Sequence, residues 1–235
     1  MTAARDAILA AICRSLNRGP LDPATAAALR ARVAAHRRNL IPMRAAALDH
    51  PARVNLFVAM AEAVQATVAR LSSIDAVPEA VAAYLAAENL PAELVMAPDP
   101  GLDQIPWEMR PLLRIRRGRA EAADAVSLTP CFAAIAETGT LMLASGAATP
   151  TSLNFLPDTH IVLVPADRVV GTYEDGWDRL RDLAGECGEV GRQLLPRTVN
   201  FITGPSRTGD IEQRIVLGAH GPRRLHILVV EDGGA

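Results

Sequence analysis

Two stretches carry residue types whose spacing can support chemistry. In AETGTLML, residues 136–143, a single acid, Glu137, stands between two apolar runs and is followed by Thr138, Gly139 and Thr140. One reading is a tight hairpin with Gly139 at positive φ and Glu137 on its rim. The other places Glu137 at a strand end facing a cleft, where partial burial raises a carboxyl pKa and suits it to acid–base or nucleophilic work. The second stretch, TGPSRTGDIE, covers residues 203–212. A strand ending at Thr203 runs into Gly204–Pro205, which turn the chain, and Asp210 is expected to cap a helix over Asp210–Val216, with Gln213 as capping-box partner. Free N–H groups at that helix start, the hydroxyls of Ser206 and Thr208 and the Arg207 guanidinium would suit an anion. The competing reading is a structural turn, because the glycine spacing matches neither G-x-G-x-x-G nor a P-loop.

The histidines add little chemistry. His220, before Gly221–Pro222, reads as a turn residue donating to a backbone carbonyl. His226 alternates within an apolar strand and reads as a satisfied core histidine. His160 starts a strand, while His36 and His50 lie in or beside the N-terminal region. No pair has the spacing of metal ligands, and no metal is expected.

Composition excludes several classes. All 24 basic residues are arginine and there is no lysine. Schiff-base chemistry, a pyridoxal-phosphate anchor and the Walker lysine are therefore ruled out. Cys13, Cys131 and Cys187 are far apart, so this chain alone cannot supply four thiolates to a cluster, and the three read as small buried hydrophobes. The formal net charge of −2 leaves no positive excess for nucleic acid. The cluster Arg114, Arg116, Arg117 and Arg119 reads as a solvated loop or a local anion contact. No apolar stretch reaches the length of a membrane span. The opening MTAARDAILAAICRSL lacks the grammar of a signal peptide, so the expected location is cytoplasmic.

The elements that must position these residues follow from periodicity. Helices are expected over 3–16 and from Asp22 to about Arg38, forming an arm (1–45) with Ile41–Pro42 as linker, ahead of an α/β body (46–235). In the body, helices are expected at Arg53–Val64, Glu79–Glu88 and Trp177–Cys187, with one turn at Ser152–Leu156. Strands are expected at Ala66–Leu71, Glu93–Ala97, Leu112–Ile115, Asp124–Leu128, Cys131–Ala136, Leu141–Ala144 and Thr198–Thr203. HIVLVP (160–165) and RLHILVV (224–230) are nearly continuous apolar runs, as expected of strands covered on both faces. Strands alternating with helices predict an α/β fold, a three-layer sandwich on a parallel or mixed sheet. Ligands of open α/β sheets sit at the carboxyl ends of strands, where the 203–212 loop is expected to lie.

AIAETGTLML (134–143), LNFLPDTHIVLVP (153–165) and FITGPSRTGDIE…LGAHGPRRLHILVV (201–230) resemble the lactate-utilization protein C family of LUD-domain proteins. The last stretch is the most specific, and the resemblance covers about residues 46–235. It implies a fold like that of ribose-phosphate isomerases and coenzyme A transferases. It also implies a role in oxidising L-lactate to pyruvate beside iron–sulfur partner proteins, which would carry the clusters while this chain holds no cofactor. On that basis an accessory or regulatory subunit binding a small carboxylate or phosphate is expected. Its ligand contacts would be Gly204, Ser206, Arg207, Thr208, Asp210, His220 and Gly221, with Thr138, Gly139 and Thr140 opposite. The rival expectation is a free-standing coenzyme A transferase-like enzyme using Glu137 as nucleophile or base.

Overall fold

The computed structural model describes residues 2–38, 40–186, 196–211 and 214–231. Two compact units divide at Leu40/Ile41. The first contains α1 (Thr2–Ser15) and α2 (Pro23–Ala34). Asp22 caps α2 by accepting the Thr25 N–H at 2.9 Å, and Pro23 occupies the first turn, where its missing N–H costs nothing. No residue of α2 is buried, so this pair of helices builds no core of its own. Cys13 is exposed in α1, against the expectation of a buried hydrophobe; Cys187 lies outside the described residues.

The second unit begins with α3 (Met43–Ala46) and α4 (His50–Ala63). Asp49 caps α4 through the Ala52 N–H at 2.9 Å. Val54, Phe57 and Ala61 recur at helical spacing and are buried. After α4 come β1 (Thr67–Leu71), α5 (Val77–Ala87), β2 (Glu93–Met96), β3 (Arg114–Arg117) and β4 (Val126–Pro130). Next are β5 (Ala133–Ile135), β6 (Thr140–Ala144), α6 (Ser152–Phe155), β7 (Thr159–Pro165), β8 (Val169–Val170) and α7 (Tyr173–Glu186). The chain closes with β9 (Val199–Ile202), β10 (Arg207–Ile211), β11 (Arg214–Leu217) and β12 (Arg224–Val230).

Six of these strands form a wholly parallel sheet in the order β1-β12-β7-β4-β2-β3. Alternation along β7 shows how it is covered. Ile161 and Leu163 pack with Val81 and Leu85 of α5 on one face. Val162 and Val164 pack with Phe57 and Ala61 of α4 on the other. Each large side chain so buried contributes roughly 1.5–3 kcal/mol. A smaller sheet, β8-β5-β6-β9, lies over that second face. Its Ala134, Ala136, Leu141 and Leu143 point toward the parallel sheet, while Ala133, Ile135 and Met142 point the opposite way, against Leu180 of α7. The mixed α/β architecture is as expected, with this second sheet as an added layer. Arginines 114, 116 and 117 fall on the edge strand β3, where charge discourages pairing with another chain. Arg117 meets Asp103 at 2.9 Å, and Arg116 is paired with Asp124.

One expected element is wrong. Asp210 and Ile211 belong to β10 and Arg214–Leu217 to β11, an antiparallel pair, rather than to the expected helix, and 212 and 213 lie outside the described residues. Thr208 pairs with Val216 and Ile211 with Arg214. The β-branched residues Thr208, Ile211, Ile215 and Val216 outweigh the Asp210–Gln213 capping signal.

Candidate functional site

The acid and its hairpin come first. Ile135 pairs with Thr140 across β5 and β6, leaving Ala136–Gly139 as the connection. Gly139 has φ 64°, and a Cβ there would lie 2.3 Å from the Ala61 backbone nitrogen, so the turn needs glycine for conformation and for close approach to α4. Glu137 is buried rather than on the rim, at 5% exposure. Its Oε1 accepts the Tyr173 N–H at 3.0 Å, at the first residue of α7. Its own N–H donates to the Gly171 carbonyl at 3.1 Å, and the Arg44 guanidinium donates to its carbonyl oxygen. The carboxylate thus meets the positive end of a helix and fastens the hairpin to α7. Nearby, four hydroxyls form a chain: Thr138 to Thr140 at 2.7 Å, Thr140 to Tyr173 at 2.9 Å and Thr140 to Thr203 at 2.7 Å.

Thr203 leads into the second stretch. Gly204, at φ 74°, lies against the end of α4, where a Cβ would come within 2.4 Å of the Val64 carbonyl oxygen. The Arg207 guanidinium donates to that same carbonyl at 2.9 Å and to Gln65 Oε1 at 3.2 Å. It therefore satisfies the C-terminal end of α4, where a cation is favoured. Ser206 holds the returning chain: its N–H donates to the Pro222 carbonyl at 2.8 Å, and its Oγ accepts the His220 N–H at 3.2 Å. His220 thus donates through its backbone to a hydroxyl rather than to the carbonyl expected.

These two loops enclose a hollow of about 390 Å³ whose lining includes Gly204, Ser206, Arg207, His220 and Gly221. Glu137, Thr138, Gly139 and Thr140 are not in that lining; the Thr140–Thr203 hydrogen bond joins the two stretches without giving them a common hollow. Thr208 and Asp210 belong to β10. The hollow also does not stand at the carboxyl ends of the parallel strands. His160 and Leu225, the second residues of β7 and β12, line it, so it lies at their amino ends.

His160 is the residue that sequence reasoning missed. It is fully buried, and its Nε2 lies 2.8 Å from Thr129 Oγ1. Its Nδ1 has no hydrogen-bond partner among the described residues. Burial pulls its pKa down to about 3, so the ring is neutral at physiological pH. A histidine opening an otherwise apolar strand was the available signal. His226 differs: its Nδ1 lies 2.8 Å from Thr67 Oγ1 and its ring stacks on Tyr84 with centroids 3.9 Å apart, as a satisfied core histidine should. No group of three or more His, Cys, Asp or Glu among the described residues is placed to hold a metal ion.

The LUD domain family model matches residues 54–230, from inside α4 to the end of β12. The chain belongs to the LUD domain family. The LUD domain here is 38% identical over 114 residues to Lactate utilization protein C of Shouchella clausii, a stretch covering 48% of this chain and 47% of that protein. It is likewise 38% identical over 114 residues to Lactate utilization protein C of Halalkalibacterium halodurans, with the same coverage of 48% and 47%. The Geobacillus kaustophilus protein of that name is 35% identical over 118 residues, 49% of this chain and 47% of its own. The chain spans about half the length of the relatives it matches. Among solved structures, the crystal structure of a DUF162 family protein from Deinococcus radiodurans matches with a TM-score of 0.57 and 25% identity, covering 78% of this chain and 99% of that one. No helix among the described residues of this LUD domain protein is long and apolar enough to cross a membrane.

Proposed function

We propose that this LUD domain protein serves the oxidation of L-lactate to pyruvate as an accessory or regulatory subunit beside iron–sulfur partner proteins. The observation that carries this reading is the match to relatives named Lactate utilization protein C. The clusters would belong to the partners. Deletion of the coding sequence should abolish growth on L-lactate as sole carbon source, and the wild-type chain should restore it. Undiminished growth of a deletion strain lacking any duplicate would refute the role. A tagged chain should also bring down a cysteine-rich, cluster-bearing protein from lactate-grown cells, and its absence would remove the partner.

The small-carboxylate ligand of this reading fits the hollow at the amino ends of β7 and β12. With the Thr129 hydroxyl donating to Nε2, the His160 Nδ1 carries a proton that can be donated to a carboxylate. The Ser206 hydroxyl and the backbone N–H groups of Gly204 and Gly221 would complete the contacts, with Arg207 supplying charge from the wall. Titration calorimetry with L-lactate tests this: binding should weaken about tenfold in His160→Phe, the loss of one charge-assisted hydrogen bond. Equal affinity in a folded His160→Phe chain would exclude the hollow. The Glu137 contact with α7 favours a structural part for that acid over a nucleophilic one.

A further inference from the structure

We propose that the carboxyl edge of the six-stranded sheet is a binding site for a nucleotide-sized organic anion, with Arg168 taking the anionic group and the wall between β2 and β4 taking the body. The proposal does not depend on the lactate role.

Topology locates the site. β2 and β4 are neighbours, yet the chain leaving β2 goes outward to β3 while the chain leaving β4 travels the other way, through the small sheet to β7. Where two adjacent connections diverge, a crevice opens at the carboxyl ends of the strands, and ligands of open α/β sheets occupy such crevices. A cleft of about 650 Å³ stands there. It is lined from the β2 side by Asp99 and Leu102, from the β4 side by Cys131 and Phe132, and from the turn after β7 by Asp167 and Arg168. Its volume falls within the range of about 300–1,000 Å³ usual for drug-sized ligands. A three-carbon acid would leave most of it empty.

Charge gives the cleft a direction. Among the described residues no hydrogen bond or ion pair holds the Arg168 guanidinium, and Asp167 forms none with it. Arg179 of α7 donates to the Asp167 carbonyl at 3.1 Å, bringing a second guanidinium beside it. Burial first, then the Arg168 charge, lower the Arg179 pKa, so the two cations feel each other. An anion placed against Arg168 relieves that repulsion. On the β2 side, one Asp99 oxygen accepts the Gly101 N–H at 2.9 Å. This carboxylate disfavours a second anion and can accept from hydroxyls of a bound ligand. Leu102 and Phe132 supply apolar surface to the lining.

Cys131 is wall, not reagent. Its thiol donates to the Ala133 carbonyl at 2.9 Å, and burial pushes its pKa up to about 12. It remains protonated, so binding is non-covalent at this thiol.

The test is titration calorimetry of the full chain with adenosine 5′-monophosphate, inorganic phosphate and L-lactate as separate probes. The nucleotide should bind more tightly than either small anion. Its affinity should fall about tenfold or more in Arg168→Gln, the loss expected for a charged hydrogen bond, and stay unchanged in Ser206→Ala. Should Arg168→Gln fail to fold, Gln104→Trp, an exposed position on the β2 side of the cleft, should block the nucleotide. Absence of nucleotide binding at millimolar concentration, indifference to both cleft variants, or small anions binding as tightly as the nucleotide would each overturn the site.

Discussion

The two ends of the parallel sheet differ in how their polar groups are spent. At the amino end, the sequence-conspicuous loop turns most of its chemistry inward: Arg207 caps α4 and Ser206 clasps the 220–222 return. Among the described residues, His160 Nδ1 and the neighbouring Thr159 Oγ1 are left unpartnered there. At the carboxyl end, the less conspicuous Arg168 faces an open cleft without a holding partner among the described residues. Residue types that suit an anion in a sequence are equally suited to helix ends and tight turns, and the partners decide between the two uses.

The largest expected contrast is with pH. His160 and His226, near the starts of β7 and β12, have pKa values pulled by burial to about 3 and about 4. Their folded values are below the unfolded value near 6.5, so the unfolded chain takes up their protons first as pH falls. Their contribution to stability is complete above about pH 6.5 and is lost toward pH 4, amounting to on the order of 6 kcal/mol for the pair. Urea unfolding at pH 7, 6 and 5 should show this slope, reduced by about half in His226→Phe; an unchanged slope in that variant would remove the histidines as its source.

Next come the glycines. Gly139→Ala and Gly204→Ala put a Cβ within 2.3 and 2.4 Å of α4 backbone atoms at positive φ, whereas Gly101→Ala at the carboxyl edge meets only an Asp99 side-chain oxygen at 3.0 Å. The first two should each cost roughly 2–4 kcal/mol in chemical denaturation, and Gly101→Ala less than about 1 kcal/mol. Similar costs at both ends would erase the contrast. The smallest difference lies between arginines. Arg207→Ala should lower stability by about 1 kcal/mol through the lost contacts at the end of α4, while Arg168→Ala should stay within about 0.5 kcal/mol of wild type.

Much of the fold was legible because its signals are local. The runs around Ile161 and Ile227 announce strands buried on both faces, and Gly139 and the Asp49–Pro51 start mark a turn and a helix. The β10–β11 hairpin was not legible as such, since Asp210 and Gln213 imitate a helix cap while the β-branched residues around them favour pairing. The two-sheet layering was also hidden, because β5 and β6 look like any other short strands until their partners are known. The carboxyl-edge cleft was beyond reach for another reason. Asp99, Phe132 and Arg168 come from three separate connections, and only the strand order brings them to one place.

Amide chemical-shift mapping of the 15N-labelled chain during addition of adenosine 5′-monophosphate compares the two ends most directly. Shifts concentrated at 99–104, 131–132 and 167–168, with 204–208 and 220–221 unmoved, are the predicted result. Shifts confined to the 204–208 and 220–221 loops, or none at either end, would contradict it.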